Sequence, residues 1–203
     1  MSMVADPHQY FRQFLPERSE LLVALEREAH RERIPIIGPA AGQLLYLLAR
    51  LSRADRILEL GTAFAYSTIF LGLASRHIDG KVDSFESDKI MAARARANIE
   101  RAGLGDIVAV HCSDALEALA RWQEPVTMIF MDIEKQDYTT ALAHCSRLLP
   151  PNGLLVVDNT GFEASDAFNR AIAGSSDWQY VNLWAFLPGH SPEQDGICIA
   201  LRT

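Results

Sequence analysis

The sequence lacks most features of secreted, membrane-spanning and disulfide-linked proteins. Its three cysteines, Cys112, Cys145 and Cys198, are odd in number, far apart and free of any CxxC pair. A disulfide framework is therefore not expected, and a reduced cytoplasmic compartment fits best. The N-terminus is polar where a signal peptide needs an apolar stretch, and no apolar run is as long as a membrane span. We therefore expect a cytoplasmic protein without a membrane partner.

Basic residues are also scarce. The chain has 19 Lys and Arg against 26 Asp and Glu, a net charge of −7, and no basic block. Nucleic-acid-binding proteins usually carry a basic face, so a nucleic-acid partner is not expected. The six histidines show no HxH or HExxH spacing, which argues against a zinc site. His190 is expected to be a solvent-exposed loop residue without a functional role.

What the sequence does contain is the composition of an ordinary globular protein. It is 49% hydrophobic and 22% charged, and its 203 residues suit one sizeable domain, taken as residues 1–203. Helical patterns over 21–33 and 39–51 belong to an N-terminal helical region of about 6–52 that precedes the first strand. These helices are expected to cover the sheet or to form an interface.

A regular alternation of strands and helices follows. Short apolar runs at 57–60, 82–85, 107–111, 126–131 and 154–157 predict strands, and the helices between them lie near 67–76, 88–102, 115–122 and 138–149. This order is typical of a parallel sheet buried on both faces. After a helix near 165–172, two closing strands at 178–186 and 196–201 predict an antiparallel hairpin at the sheet edge. The fold class is therefore α/β: a doubly wound, Rossmann-like, mostly parallel sheet with helices on both faces and an antiparallel last strand.

The most informative stretch is Arg56-Ile-Leu-Glu-Leu-Gly-Thr-Ala-Phe-Ala-Tyr-Ser67, which reads as a strand, a glycine turn and a helix start. Gly61 allows a sharp turn and a close approach to a ligand. The helix start offers unpaired N–H groups to an anion. Glu86 ends the next strand, where a carboxylate can accept two ribose hydroxyls. Open α/β sheets bind nucleoside-containing cofactors in this way.

Acidic and amide side chains also follow the later strands. Asp132 ends one strand, Asp158 and Asn159 end the next, and together they offer three oxygen ligands to Mg²⁺ or Mn²⁺. Near a dication an ammonium group loses its proton more readily, which makes Lys135 a candidate general base. As alternatives, these residues are turn, cap and surface residues. Asp114 equally fits a helix cap or an adenine contact.

With these motifs the chain resembles the class I S-adenosylmethionine-dependent O-methyltransferases. The similar group is the cation-dependent one that contains caffeoyl-CoA and catechol O-methyltransferases. The resemblance runs from about residue 35 to the C-terminus. It is carried by the segments IPIIGPAAGQLL, ILELGTAFAYS, VDSFESD, CSDAL, FMDIEKQDY, GLLVVDN and DGICIA. The family's seven-stranded sheet with an antiparallel last strand agrees with the predicted fold.

The resemblance implies a role for each matching residue. Asp132, Asp158 and Asn159 would bind a divalent cation (Mg²⁺ or Mn²⁺, with Ca²⁺ as an alternative), and Asp132 and Lys135 would be catalytic, with Lys135 deprotonating the acceptor. The cation would bind two adjacent acceptor oxygens and lower a hydroxyl pKa. A homodimer is also implied. The S-adenosylmethionine site would comprise Ile37, Glu59, Gly61, Thr62, Tyr66, Ser67, Glu86, Ser113, Asp114, Ala115 and Asp132.

The chain departs from the family pattern in three places. Ala65 occupies the second glycine position of GTxxGYS, where a methyl group is tolerable if the backbone angle is ordinary. Ile133 and Glu134 replace the family's commoner small or aromatic pair beside the cation ligands and add a negative charge there. The segment after Asn159 is shorter than the family's usual acceptor-binding insertion. A more open acceptor pocket is therefore expected.

The functional hypothesis is a divalent-cation-dependent O-methyltransferase acting on a small hydroxylated, catechol-like or phenolic acceptor. One alternative is a metal-independent small-molecule methyltransferase that kept the acidic residues for another purpose. Another is a non-catalytic donor-binding or partner-binding protein. A nicotinamide-dependent oxidoreductase is less consistent, because Gly61-x-x-x-Ala65 lacks the GxGxxG spacing.

Overall fold

A single seven-stranded sheet organises the protein, which is described over residues 2–203 by a computed structural model. The strand order is β3-β2-β1-β4-β5-β7-β6. β1 to β5 pair in parallel, whereas β7 is antiparallel to both of its neighbours. In chain order the strands are β1 (Arg56–Leu60), β2 (Lys81–Glu86), β3 (Val108–Cys112), β4 (Met128–Met131), β5 (Leu154–Val157), β6 (Trp178–Phe186) and β7 (Gln194–Arg202).

Helices cover both faces of this sheet, as predicted. One apolar core packs α2, α3, α4 and α5 against one face, and a second packs α6, α7 and α8 against the other. Because helices lie on both sides, every residue of β4 and β5 is buried. The helices are α1 (Pro7–Arg12), α2 (Glu20–Glu32), α3 (Gly38–Ser52), α4 (Tyr66–Ser75), α5 (Lys89–Arg101), α6 (Ala115–Arg121), α7 (Tyr138–Leu148) and α8 (Asp166–Ala173).

The predicted hairpin at the end of the chain is confirmed, with a detail that the sequence did not show. β6 and β7 pair over their full length, from Trp178 opposite Arg202 to Phe186 opposite Gln194. The antiparallel β7 lies between β5 and β6, so the edge strand is β6. This placement brings the loop between β6 and β7 next to the carboxyl end of β5.

The N-terminal region is helical where the sequence predicts it, since α1, α2 and α3 all precede β1. Side-chain caps from Asp6 and Ser19 begin the first two helices. Within residues 2–203, no helix combines the length and apolar character needed to cross a membrane.

The turn after β1 lies directly against the backbone at the end of β4. Gly61 has φ +95°, and a Cβ built on it would overlap the backbone carbonyl of Asp132, at the end of β4. Only glycine satisfies both the angle and the contact. The position of Asp132 relative to the β1 turn therefore depends on the missing side chain of Gly61.

We expect Gly61→Ala to lower the free energy of unfolding by about 3 kcal/mol or more, because backbone strain and steric overlap add together. Gly103→Ala is the matched control. Gly103 also has a positive φ, +63°, but its added Cβ would find its nearest neighbour 3.9 Å away. The control should lose only about 1 kcal/mol. Equal losses in urea denaturation would show that the contact with Asp132 does not constrain the fold.

Candidate active site

A cavity of about 350 Å³ opens at the carboxyl ends of the central parallel strands. Open α/β sheets bind ligands at this edge. Ile34 and Pro35, in the segment before α3, form one of its walls. The sequence-predicted residues that line it are Gly61, Glu86, Asp114, Ala115, Asp132 and Lys135.

A buried hydroxyl network lies behind this cavity, centred on Glu59 in β1. Thr68 and Ser84 each donate a hydroxyl to Glu59 Oε2 at 2.5 Å, and Thr62 lies 2.5 Å from Ser84. Burial raises the pKa of Glu59 to about 7, against the opposing effect of hydroxyl groups that include Ser67. Its other oxygen, Oε1, is buried and has no hydrogen-bond partner within the described chain. Buried oxygens normally accept a hydrogen bond, so Oε1 is an acceptor that a bound ligand or water could use.

The loop between β1 and α4 is strained. Ala63 and Ala65 have φ angles of +46° and +77°, in the left-handed region that costs a residue with a Cβ about 1 kcal/mol or more. Alanine at position 65 was expected to be tolerable if its backbone angle were ordinary. The φ of Ala65, +77°, does not meet that condition. Ala65 is nevertheless fully buried in the core. The fold therefore retains the turn usually given to glycine at an energetic cost.

Tyr66, at the start of α4, is directed towards the N-terminal helices. Its hydroxyl donates to Glu26 Oε1 at 2.8 Å, and Arg18 pairs with the same carboxylate at 2.8 Å. Ser67, the next residue, is buried beside Glu59. The hydrogen bond between Tyr66 and Glu26 connects α2 to the start of α4.

Two residues predicted to contact the nucleoside, Glu86 and Asp114, already accept hydrogen bonds from backbone N–H groups. Glu86 accepts hydrogen bonds from the N–H groups of Ala63 and Asp88, both at 2.8 Å. Asp114 caps α6 by accepting from Glu117 N at 2.9 Å, and it also lines the cavity with Ala115. The two interpretations of Asp114, as a helix cap and as an adenine contact, are thus compatible. Ser113 and Ile37 do not line this cavity; Ile37 lies beside Asp158 in the apolar interior.

Asp132 and Lys135 contact each other at the entrance of the turn before α7. Lys135 Nζ lies 3.2 Å from Asp132 Oδ1 and 3.2 Å from the Ile133 carbonyl. Burial, and then the charge of Asp158, raise the pKa of Asp132 to about 6, although Lys135 opposes the rise. Two carboxylates thus repel each other at adjacent strand ends, and a cation between them would relieve this repulsion.

The expectation that His190 is solvent-exposed was wrong. Its side chain is buried, and Nε2 lies 2.9 and 2.8 Å from the two carboxylate oxygens of Asp158. Nδ1 lies 2.6 Å from the Pro192 carbonyl, which can only accept, so Nδ1 must carry a hydrogen. A second hydrogen on Nε2 satisfies Asp158. Burial lowers the pKa of His190, but Asp158 and the Pro192 carbonyl outweigh it and raise the pKa above its usual value.

Asn159 is oriented by a second carboxylate that the sequence analysis did not select. Its Nδ2 donates to Asp195 Oδ2 at 2.6 Å, which leaves the amide Oδ1 as the acceptor available to a ligand. Asp195 is buried and also accepts from the N–H groups of Gly161 and Gly196. Asp195 begins the segment DGICIA, but nothing in its local pattern identifies this contact with Asn159.

The donor set of Asp132, Asp158 and Asn159 fits a hard divalent cation by its chemistry, two carboxylates and an amide oxygen. Residues 2–203 contain no cluster of three His, Cys, Asp or Glu side chains at metal-binding separation. The third ligand would therefore have to be the Asn159 amide, and His190 would have to share Asp158 with the cation.

A second, larger cavity of about 990 Å³ adjoins the first. Ile34 and Pro35 line both cavities, and His190 closes one side of the larger one. Its remaining walls come from α2, the segment after α1 and the loop between β6 and β7. The two cavities therefore share the wall formed by Ile34 and Pro35, and the larger one reaches His190, the partner of Asp158.

Comparison with known proteins identifies what this arrangement is similar to. A family model described as O-methyltransferase matches residues 14–171. A catechol O-methyltransferase of Niastella koreensis is 36% identical over 156 residues, covering 74% of this chain and 70% of that protein.

Solved structures give the same result. The O-methyltransferase TomG of Streptomyces achromogenes, in complex with SAM and involved in tomaymycin synthesis, superposes with a TM-score of 0.85 at 29% identity, covering 97% and 95% of the two chains. The O-methyltransferase of Bacillus cereus in complex with SAH also has a TM-score of 0.85, at 26% identity, covering 97% and 96%.

The buried carboxyl of Glu59 predicts a specific pH dependence of stability. Because the pKa of Glu59 is raised from 4.5 to about 7, the folded state binds a proton that the unfolded state loses in this window. The free energy of unfolding should fall as pH rises from 4.5 to 7. Glu59→Gln should remove about 2 to 3 kcal/mol of that fall. Urea denaturation of both proteins near pH 5 and near pH 8 measures the difference. Parallel pH profiles would contradict it, because Asp132 titrates in both proteins.

Proposed function

The chain belongs to the O-methyltransferase family, and we propose that it transfers a methyl group from S-adenosylmethionine to a hydroxyl of a small catechol-like or phenolic acceptor with the help of a divalent cation. The observation that carries this proposal is the cavity that gathers Gly61, Glu86 and Asp132, with Asp158 and Asn159 at the neighbouring strand end. We place this activity in the cytoplasm, in keeping with three unpaired cysteines within the described chain.

The donor site is supported by unsatisfied and open groups at the β1 turn. Glu59 Oε1 lacks a partner, and the amino group of the donor's methionine part would supply one directly or through water. Gly61 lines the cavity, and Glu86 retains acceptor capacity for ribose hydroxyls beyond its two backbone contacts. Asp114 and Ala115 border the cavity where the adenine would lie.

The acceptor site follows from the same edge of the sheet. When bound by Asp132, Asp158 and Asn159, a divalent cation supplies a charge that lowers the pKa of an acceptor hydroxyl. Asp195 orients the Asn159 amide for this purpose, and Lys135 takes the hydroxyl proton at Nζ. The chain's contribution to methyl transfer is then the alignment of oxygen, methyl carbon and sulfur.

A second candidate, methyl transfer without a metal, is favoured by one observation. His190 already lies against both oxygens of Asp158, and Lys135 contacts Asp132, so each carboxylate has a cationic partner in the protein. In this alternative the acidic residues hold His190 and Lys135 in place, and Lys135 would first lose its own proton to solvent and then receive the acceptor proton as a neutral amine.

Asp158→Ala separates the two candidates. With Mg²⁺ present, we expect turnover of a catechol to fall by more than about 100-fold, beyond the loss that outer-shell partners alone cause. Binding of S-adenosylhomocysteine by isothermal titration should change little, since Asp158 does not line the donor cavity. Asp166→Ala removes an exposed carboxylate in α8 and should keep full turnover.

Chelation completes this test. Loss of wild-type turnover in excess chelator, and its recovery on adding Mg²⁺ or Mn²⁺, is the expected result. Full turnover in chelator would overturn the cation requirement and select the second candidate. Failure of the wild-type protein to bind S-adenosylmethionine would overturn both.

We further propose that the protein forms a homodimer through its N-terminal helices. Phe11 and Phe14 are 56% and 61% exposed, and Leu47 and Leu51 on α3 are 47% and 80% exposed, which is unusual for large apolar side chains. Light scattering should give twice the chain mass. Phe14→Ser with Leu51→Ser should shift the protein towards monomer, whereas a wild-type monomer at micromolar concentration would contradict the proposal.

A further inference from the structure

The larger cavity differs in charge from the rest of this acidic protein. Four arginines line it, Arg12, Arg18, Arg31 and Arg33, against two glutamates, Glu26 and Glu193. The chain as a whole carries a net charge of −7. Positive charge is thus concentrated in a cavity that shares Ile34 and Pro35 with the candidate donor cavity and reaches His190, the partner of Asp158.

The two glutamates are already engaged. Arg12 forms a two-pronged pair with Glu193, and Arg18 pairs with Glu26, which also accepts the Tyr66 hydroxyl. These pairs hold the N-terminal segment on the β6–β7 loop and on α2. They neutralise two of the four arginines and leave no acidic group of the cavity for the other two.

Arg31 and Arg33 supply the excess charge. Arg31 is 72% exposed and pairs only with Glu32, a carboxylate that Arg94 also binds at 2.8 Å. Arg33 is exposed, and within residues 2–203 it has neither an ion pair nor a side-chain hydrogen bond. It lies at the end of α2, directly before Ile34 and Pro35, the two residues that line both cavities.

Helix termination alone does not explain why Arg31 and Arg33 line the larger cavity. A basic residue near a helix C-terminus interacts favourably with the helix dipole, and Arg53 ends α3 with nearly the same backbone angles as Arg33. Arg53, however, lines none of the cavities described above. The two residues therefore share a local structure and differ in their relation to the site.

We propose that the acceptor carries an anionic group, a carboxylate or a phosphate, which Arg33 and Arg31 bind in the larger cavity while its hydroxyl reaches the strand end of Asp132 and Asp158. This inference rests on the proposed methyltransferase function. In the reaction the acceptor hydroxyl gives its proton to Lys135 and its oxygen bonds to the donor's methyl carbon. The carbon–sulfur bond breaks, leaving a methyl ether and S-adenosylhomocysteine. The anionic group takes no part in the bond changes.

Matched acceptor pairs test the charge requirement. 3,4-Dihydroxybenzoate is compared with its methyl ester, and 3,4-dihydroxybenzyl phosphate with the corresponding alcohol, in the Mg²⁺-loaded enzyme at saturating donor. We expect the charged member of at least one pair to have a kcat/KM about tenfold higher or more, chiefly through KM. The pair with the larger ratio identifies carboxylate or phosphate. The ratio should shrink as ionic strength rises, because these arginines are exposed.

Arg33→Gln should abolish most of this preference, whereas Arg53→Gln, the matched helix-end control, should keep it. Equal kcat/KM within both pairs, or a preference unchanged in Arg33→Gln, would overturn the inference while leaving the methyltransferase proposal standing. Donor binding without methylation of any of the four compounds would instead contradict the acceptor class in the proposed function, and the inference would fall with it.

Discussion

The contact between the backbone of Gly61 and the carbonyl of Asp132 is the constraint on which the rest of the site depends. It brings the turn after β1 against the end of β4, so that the loop between β1 and α4 and the carboxylate of Asp132 share one edge of the sheet. Parallel pairing of β1 with β4 and of β4 with β5 extends this edge to Asp158 and Asn159. A side chain at position 61 would separate these groups, whatever their individual chemistry.

Buried negative charge is the second organising feature. Glu59 and Asp158 are buried and Asp132 is half-buried, and burial is the main cause of the raised pKa values of Glu59 and Asp132. These carboxylates are partly compensated within the protein. Hydroxyl groups donate to Glu59, Lys135 pairs with Asp132, and His190 pairs with Asp158. This compensation is incomplete in two places. One oxygen of Glu59 has no partner, and there the cationic methyl donor would act. Asp132 and Asp158 repel each other, and there a divalent cation would act.

Much of the fold and part of the site could be predicted from the sequence. The alternation of apolar runs and amphipathic helices is a local signal, and every predicted strand appears within a few residues of its expected bounds. Gly61, Glu86 and Asp132 lie at one cavity because parallel strands end on the same edge. Ala65 shows the limit of this reasoning, since its left-handed angle depends on the packing of the loop, and the motif alone suggested that an ordinary angle was possible.

The sequence by itself determined the class of protein, because strand periodicity, the glycine turn and the carboxylates after the strands are all features of short segments. Only the tertiary structure decided which groups those carboxylates meet. His190 is 32 positions from Asp158 and Asp195 is 36 from Asn159, and both arrive because β7 inserts between β5 and β6 and carries the closing loop to the edge. The larger cavity, with its four arginines, likewise assembles from the N-terminal segment, α2 and that same loop. Such partners are set by how distant segments pack, for which a local pattern holds no signal.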